Sequence, residues 1–294
     1  MGVLLGLLTA LSWGSSDFLA RFATRKIGTF RAMLYMQLSG LLLLTAALPW
    51  MGGFGHLRGF GWESWVWGIA AGVLNTGGTL ALYRSFEIGK MSVVAPISAS
   101  YPALTTLLVV LTGERLTLPR LTGLLLILLG VTIVARGEEN PRSAASDANR
   151  PSSAQHRGEG AGWAFLAALE FGLMFWILGV RAVPLLGSAQ AVWVIRLTCV
   201  VLTTLVMLAL RPPRRRPREG ARWTVLGMGF LDTSAYVLNN YGMRLEQVSV
   251  MTVLSSLYAA VTVGFAATIL GEKITRKQWM GIIGIFTGIV FISR

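Results

Sequence analysis

Runs of about twenty apolar residues recur along this chain with polar or turn-rich breaks between them, and that spacing limits what it can fold into. A helix needs about 20 apolar residues to cross a hydrocarbon core of about 30 Å. In lipid every backbone N–H and C=O must be satisfied within the structure, so runs of this length read as membrane helices. They predict ten spans: 2–20, 32–50, 65–83, 92–112 and 119–135, then 161–180, 189–210, 223–243, 248–270 and 278–293. Of the 294 residues 54% are hydrophobic and only 13% are charged, against about 25% charged in a soluble domain. The bilayer is the expected solvent. The stretch 1–20 has neither the basic start nor the cleavage site of a signal peptide, so it is read as the first span.

Residues 136–160 are rich in Ser, Ala, Asn, Pro, Arg and Glu and read as a solvated linker. The parts are then 1–135, a first five-helix repeat; 136–160, the linker; and 161–294, a second five-helix repeat. Gly113-Glu114-Arg115-Leu116-Thr117 and Gly271-Glu272-Lys273-Ile274-Thr275 align at an offset of 158, as do Gly123 with Gly281 and Gly130 with Gly288. An offset of 157 pairs Ser98 with Ser255, Tyr101 with Tyr258 and Thr105 with Thr262, and Gly14 matches Gly172. Five spans per copy is an odd number, so the second copy must enter the membrane from the opposite side. The expected fold is an all-α integral membrane protein of ten transmembrane helices arranged as two inverted repeats, an architecture suited to alternating access.

Three stretches carry a resemblance: Leu11-Ser12-Trp13-Gly14-Ser15-Ser16, the segment from Ala81-Leu82-Tyr83-Arg84-Ser85-Phe86 to Val94-Ala95-Pro96-Ile97, and the two Gly-Glu-(Arg/Lys)-(Leu/Ile)-Thr turns. Their order and duplication resemble the EamA branch of the drug/metabolite transporter superfamily, over essentially the whole chain except the linker. The resemblance implies a ten-helix fold with a central cavity, and export or exchange of amino acids, metabolites or amphipathic compounds. It also implies that both termini lie in the cytoplasm.

Soluble-enzyme chemistry has no candidate residues. Both histidines, His56 and His156, fall in expected loops, and no His-Glu-x-x-His, Walker loop or Gly-x-Ser-x-Gly occurs. No catalytic, metal or cofactor-binding residue is expected. The net charge of +13 sits in the breaks, where Lys and Arg set topology, so nucleic acid is not an expected partner. The expected partners are a small organic solute, the bilayer and, under the runner-up reading of proton-coupled efflux of cationic or amphipathic drugs, protons. Cys199 reads as a small buried hydrophobe.

Ionisable residues within spans are informative because an Asp or Arg at a helix centre costs about 2.5 to 3.5 kcal/mol on insertion scales. Glu170 is mid-span, Asp232 is near the middle of its span and Arg196 is a third of the way along its own. Their repeat mates are the neutral Ser12, Asn75 and Gln37. Glu170 and Asp232 can serve as an amine or proton site; the alternative is an ion pair with Arg196. Asp17 either joins that cavity or reaches the interface. Tyr101, Tyr258, Trp13 and Trp176 can form aromatic walls for an apolar or cationic solute, or simply pack. Asn239 and Asn240 sit near a helix end, where interfacial solvation explains them as well as a gate would. Pro96 and Pro102 predict an unwound helix in the first copy only, since Val253 and Ala259 replace them in the second. Gly68 with Gly72, and Gly284 with Gly288, read as close-packing pairs, the latter with homodimerisation as a second use. The Gly-Glu turns place an acid near a helix N-terminus. A membrane sensor or scaffold without transport is the alternative of another class.

Overall fold

The computed structural model describes residues 1–53, 61–112, 117–136, 152–211, 220–246, 248–272 and 274–292. The first Gly-Glu turn, most of the linker, His56 and the arginine-rich segment 212–219 lie outside them. Among the described residues there is no strand. The helices are α1 (Gly2–Ile27), α2 (Thr29–Ala47), α3 (Trp62–Ile88), α4 (Met91–Ser98), α5 (Tyr101–Leu111) and α6 (Leu118–Arg136). They are followed by α7 (Ser152–Ile177), α8 (Val183–Leu186), α9 (Ser188–Leu210), α10 (Ala221–Leu245), α11 (Val248–Ser256), α12 (Tyr258–Thr268) and α13 (Arg276–Ile292). A π-helical turn, Leu178–Ala182, joins α7 to α8.

Each expected apolar run falls on a helix or a broken pair of helices. Five segments are long and apolar enough to cross a membrane: Thr29–Met51, Met91–Leu111, Gly160–Leu186, Ser188–Leu210 and Val250–Thr268. Helices outlast the apolar runs because backbone hydrogen bonding does not stop where polarity rises. Thus α1 runs on through Arg21 and Lys26, and α7 starts inside the expected linker, which puts His156 on a helix. Leu4, Leu7, Leu8 and Leu11 stand exposed along one face of α1, and Leu118, Leu121, Leu125 and Leu129 along α6. Such stripes are out of place in water and at home in lipid.

Packing recurs with partners exchanged. α1 packs on α10 as α7 packs on α3; α2 meets α10 as α9 meets α3; α1 touches α12 as α7 touches α5. Polar contacts follow the same exchange. Thr262 Oγ1 donates to the Gly14 carbonyl at 3.3 Å and Thr105 Oγ1 to the Gly172 carbonyl at 3.0 Å. Gly28 and Gly187, with φ of 84° and 87°, make the tight turns into α2 and α9, a backbone that a Cβ would strain.

The last helix of each half packs against the other, α6 on α13. A Cβ on Gly130 would lie 2.6 Å from the Gly281 carbonyl oxygen, so these backbones meet without side chains between them. Gly284 lies against Gly130 and Gly288 against Gly123, which gives that glycine face a partner within the chain. Gly68 and Gly72 admit Val194 and Thr198 of α9.

Both copies contain a broken helix, whereas proline predicted only one. After α4, the Ser100 amide bonds to the Ile97 carbonyl and the Ala103 amide to the Ser100 carbonyl; after α11, Leu257 bonds to Leu254 and Ala260 to Leu257. The same tightened i to i−3 turn forms without proline in the second copy. Each break delivers a tyrosine, Tyr101 or Tyr258, as the first residue of the next helix.

Candidate functional site

Helices from both halves surround a half-open cavity with about 430 Å³ of space unfilled by atoms, its open mouth included. Trp13 and Asp17 of α1, Thr79 and Tyr83 of α3, Phe171 and Phe175 of α7, and Asp232 and Tyr236 of α10 line it, each pair four residues apart on one helix face. Leu82, Tyr101 and Tyr258 complete the wall.

The aromatic rings touch one another. Trp13 meets Tyr236 edge-on at 4.9 Å and Phe175 at 5.7 Å, and Tyr101 stacks on Phe175 at 4.8 Å and 27°. Tyr101 and Tyr258 lie 6.5 Å apart at 15°. Their hydroxyls are tied to the wall with partners exchanged: Tyr101 with Ser255 at 2.9 Å, Tyr258 with Ser98 at 2.8 Å. Tyr236 donates to Asn75 Oδ1 at 2.5 Å. These rings are therefore held at both ends, a pre-formed wall.

Behind the wall is a polar network. Arg196, fully buried, donates to Asp232 and to its own repeat mate Gln37, and its guanidinium lies 5.2 Å from the Tyr236 ring centre. Asn75, the repeat mate of Asp232, donates to Cys199 Sγ at 3.2 Å, so the buried thiol has polar neighbours as well as apolar ones. A buried guanidinium needs such a counter-charge, and here Asp232 serves as one.

The structure thus gathers Trp13, Tyr101, Tyr258 and Asp232 on the lining and places Arg196 and Asn75 directly behind it. Glu170 and Trp176 are elsewhere. Glu170 is half-buried against Gly77 of α3, its Oε2 without a hydrogen-bond partner, and Trp176 Nε1 donates to Thr112 Oγ1 at 3.5 Å. Asn239 and Asn240 are fully buried within the helix bundle; Asn240 exchanges hydrogen bonds with Ser188. Sequence reasoning left Asp17 open and passed over Tyr83, Phe171, Phe175 and Tyr236. A signal was present: Phe171 and Phe175 are the offset-158 mates of Trp13 and Asp17, and Tyr236 is the offset-157 mate of Thr79.

A family model described as the EamA-like transporter family matches residues 1–136 and again 158–294. An uncharacterised protein of Methanocaldococcus jannaschii is 30% identical over 134 residues, which is 45% of this chain and 95% of that protein. A solved crystal structure, titled only as that of a protein, superposes with a TM-score of 0.70 at 19% identity, covering 99% of this chain and 96% of its own. It shares the fold. With both of its parts matched by one family, the chain is a multi-pass membrane protein that belongs to the EamA-like transporter family.

Proposed function

We propose that this protein is a secondary transporter, an exporter of a small organic solute, working by alternating access between two inverted five-helix repeats at 1–135 and 161–294 that together cross the membrane ten times. The observation that carries this reading is the cavity: equivalent helices of both halves supply its wall, so rocking one half against the other would open it alternately to either side. The broken helices α4/α5 and α11/α12 support it, since irregular backbone within a membrane is tolerated where it lines a cavity.

A thermal-shift screen of the detergent-solubilised protein against amino acids, nucleosides, polyamines and quaternary amines would identify a solute, and counterflow in proteoliposomes would measure its movement. Thr79→Trp places a bulky ring in the cavity and is expected to abolish counterflow while the protein stays folded. Undiminished counterflow in that variant, or none in the wild type for any solute that binds, would sink the proposal.

A further inference from the structure

We infer that the cavity selects organic monocations, an ammonium joined to a flat apolar body; this rests on the transport reading above. The lining has two charged groups, Asp17 and Asp232, and both are carboxylates. Asp232 is neutralised from behind by Arg196. Asp17 is not: 7% exposed and facing the cavity, it has no hydrogen bond or ion pair among the described residues. Two basic residues close to the cavity wall, Arg196 and Arg21, are engaged with other groups. Arg196 is held by Asp232 and Gln37, and Arg21, one helical turn from Asp17, by Glu272 and the carbonyls of Phe86 and Gly89.

The protein supplies no counter-charge to a carboxylate so placed, which is left to a proton or to a cationic solute that displaces it. The surroundings fit an organic cation. Trp13, one turn from Asp17, stands with Tyr83, Tyr101, Phe175, Tyr236 and Tyr258, whose ring faces attract an ammonium, and Tyr236 already receives the Arg196 guanidinium in this way. A metal ion would want several oxygen ligands, and no acidic or histidine cluster able to hold one occurs among the described residues. A zwitterion or anion would bring a carboxylate against two others, with no cation on the lining to receive it. The hydroxyls of Tyr101, Tyr236 and Tyr258 are already bonded to Ser255, Asn75 and Ser98. Amino acids thus fit the cavity less well than their decarboxylated amines.

Four probes share one body and differ in charge: phenethylamine, phenylalanine, 3-phenylpropionate and 2-phenylethanol. Binding to the purified protein is read by tryptophan fluorescence and movement by proteoliposome flux, for wild type, Asp17→Asn and Asp17→Glu. Phenethylamine should bind best, weaken on the order of tenfold or more in Asp17→Asn, and recover in Asp17→Glu, the scale of one charge-assisted contact. Tighter binding of any other probe, binding of phenethylamine unchanged in Asp17→Asn, or binding of none of the four would overturn the inference. Flux of phenylalanine, 3-phenylpropionate or 2-phenylethanol that Thr79→Trp blocks would leave the transport reading standing while the cation preference fell. Phenethylamine that binds through Asp17 yet is never moved would do the reverse.

Discussion

Arg21 and Glu272 form an ion pair at 3.0 Å that ties four segments together one helical turn along α1 from Asp17. Arg21 Nη1 also donates to the carbonyls of Gly89 at 3.0 Å and Phe86 at 3.4 Å, closing the end of α3. Glu272, in the turn after α12, accepts the Ser92 and Met91 amides at 3.0 and 3.4 Å and so caps the start of α4, as expected of an acid near a helix N-terminus. The repeat mate of Arg21 is Gly179, so the other end of the molecule cannot form the same pair.

Removing one partner of a buried pair leaves the other unmatched, so Arg21→Met is expected to destabilise the protein by about 3 kcal/mol. The melting temperature in detergent reads this directly. If this tie closes the cavity at that end, a cysteine at Thr79 should also react faster with a maleimide in the Arg21→Met background. Equal labelling rates with and without Arg21 would show that the pair is not a seal.

Arg196 and Asp232 invite a double-mutant cycle. Arg196→Met alone should cost about 3 to 5 kcal/mol and Asp232→Asn a comparable amount, while the double variant should lose clearly less than the sum. The coupling arises because Arg196 is fully buried and has Asp232 as its charged partner. Additive losses would mean that the two charges are stabilised separately.

How much of this was legible in the sequence depended on the kind of fact. Apolar runs gave the helices because lipid leaves the backbone no other way to satisfy itself, but they missed edges such as Arg21–Ile27, where the helix leaves the apolar layer. Tyr101, Tyr258 and Trp13 were found because they repeat or flank a repeated motif. The rotation of each helix about its axis was not legible, and it decides which polar residue faces inward. Asp17 therefore looked like a helix-end residue and Glu170 like a central one, although Asp17 lines the cavity and Glu170 faces Gly77. Arg196 and Asp232, on different helices, could be named as partners in sequence but not joined.

Glu170 offers a test of that rotation. Its half-buried carboxylate has an oxygen without a partner, a costly arrangement. Glu170→Leu should accordingly raise the melting temperature, by the equivalent of about 1 kcal/mol or more, and leave flux intact. The sequence reading expects the opposite for Glu170→Gln, impaired transport with folding preserved. Flux measurements on both variants decide between the two readings.

The exchanged hydrogen bonds of Tyr101 and Tyr258 make the two residues a matched pair. Tyr101→Phe and Tyr258→Phe should each cost about 1 kcal/mol, since each leaves a buried serine hydroxyl without its tyrosine partner. Changing either to Ala opens the ring wall and should change which solutes compete in a binding assay. Competition profiles that match the wild type in both alanine variants would remove the tyrosines from the site.

Orientation is where charge and family resemblance diverge. The breaks after odd-numbered expected spans hold 19 Lys and Arg, against 6 in the remaining breaks, the C-terminal tail and Arg120 at the edge of the fifth span. Positive charge in short loops marks the cytoplasmic side. The segment Arg211-Pro212-Pro213-Arg214-Arg215-Arg216-Pro217-Arg218 weighs most, because anionic inner-leaflet lipids attract such a cluster and translocating it is unfavourable. Helix extension moves Arg21, Arg25 and Lys26 into the last turns of α1 without changing the end at which they stand. The linker, the arginine-rich loop and the Arg21–Glu272 ion pair are then all expected on the cytoplasmic side, with both termini outside, the reverse of what the EamA resemblance implies. Cys199 is buried, so an introduced cysteine can be read against a low background. A cysteine at Ser153 should resist a membrane-impermeant maleimide in intact cells and react after permeabilisation, whereas one at the exposed Trp50, at the opposite end, should react at once. Labelling at Ser153 with protection at Trp50 would reverse the orientation and place the Arg21–Glu272 pair on the outer face.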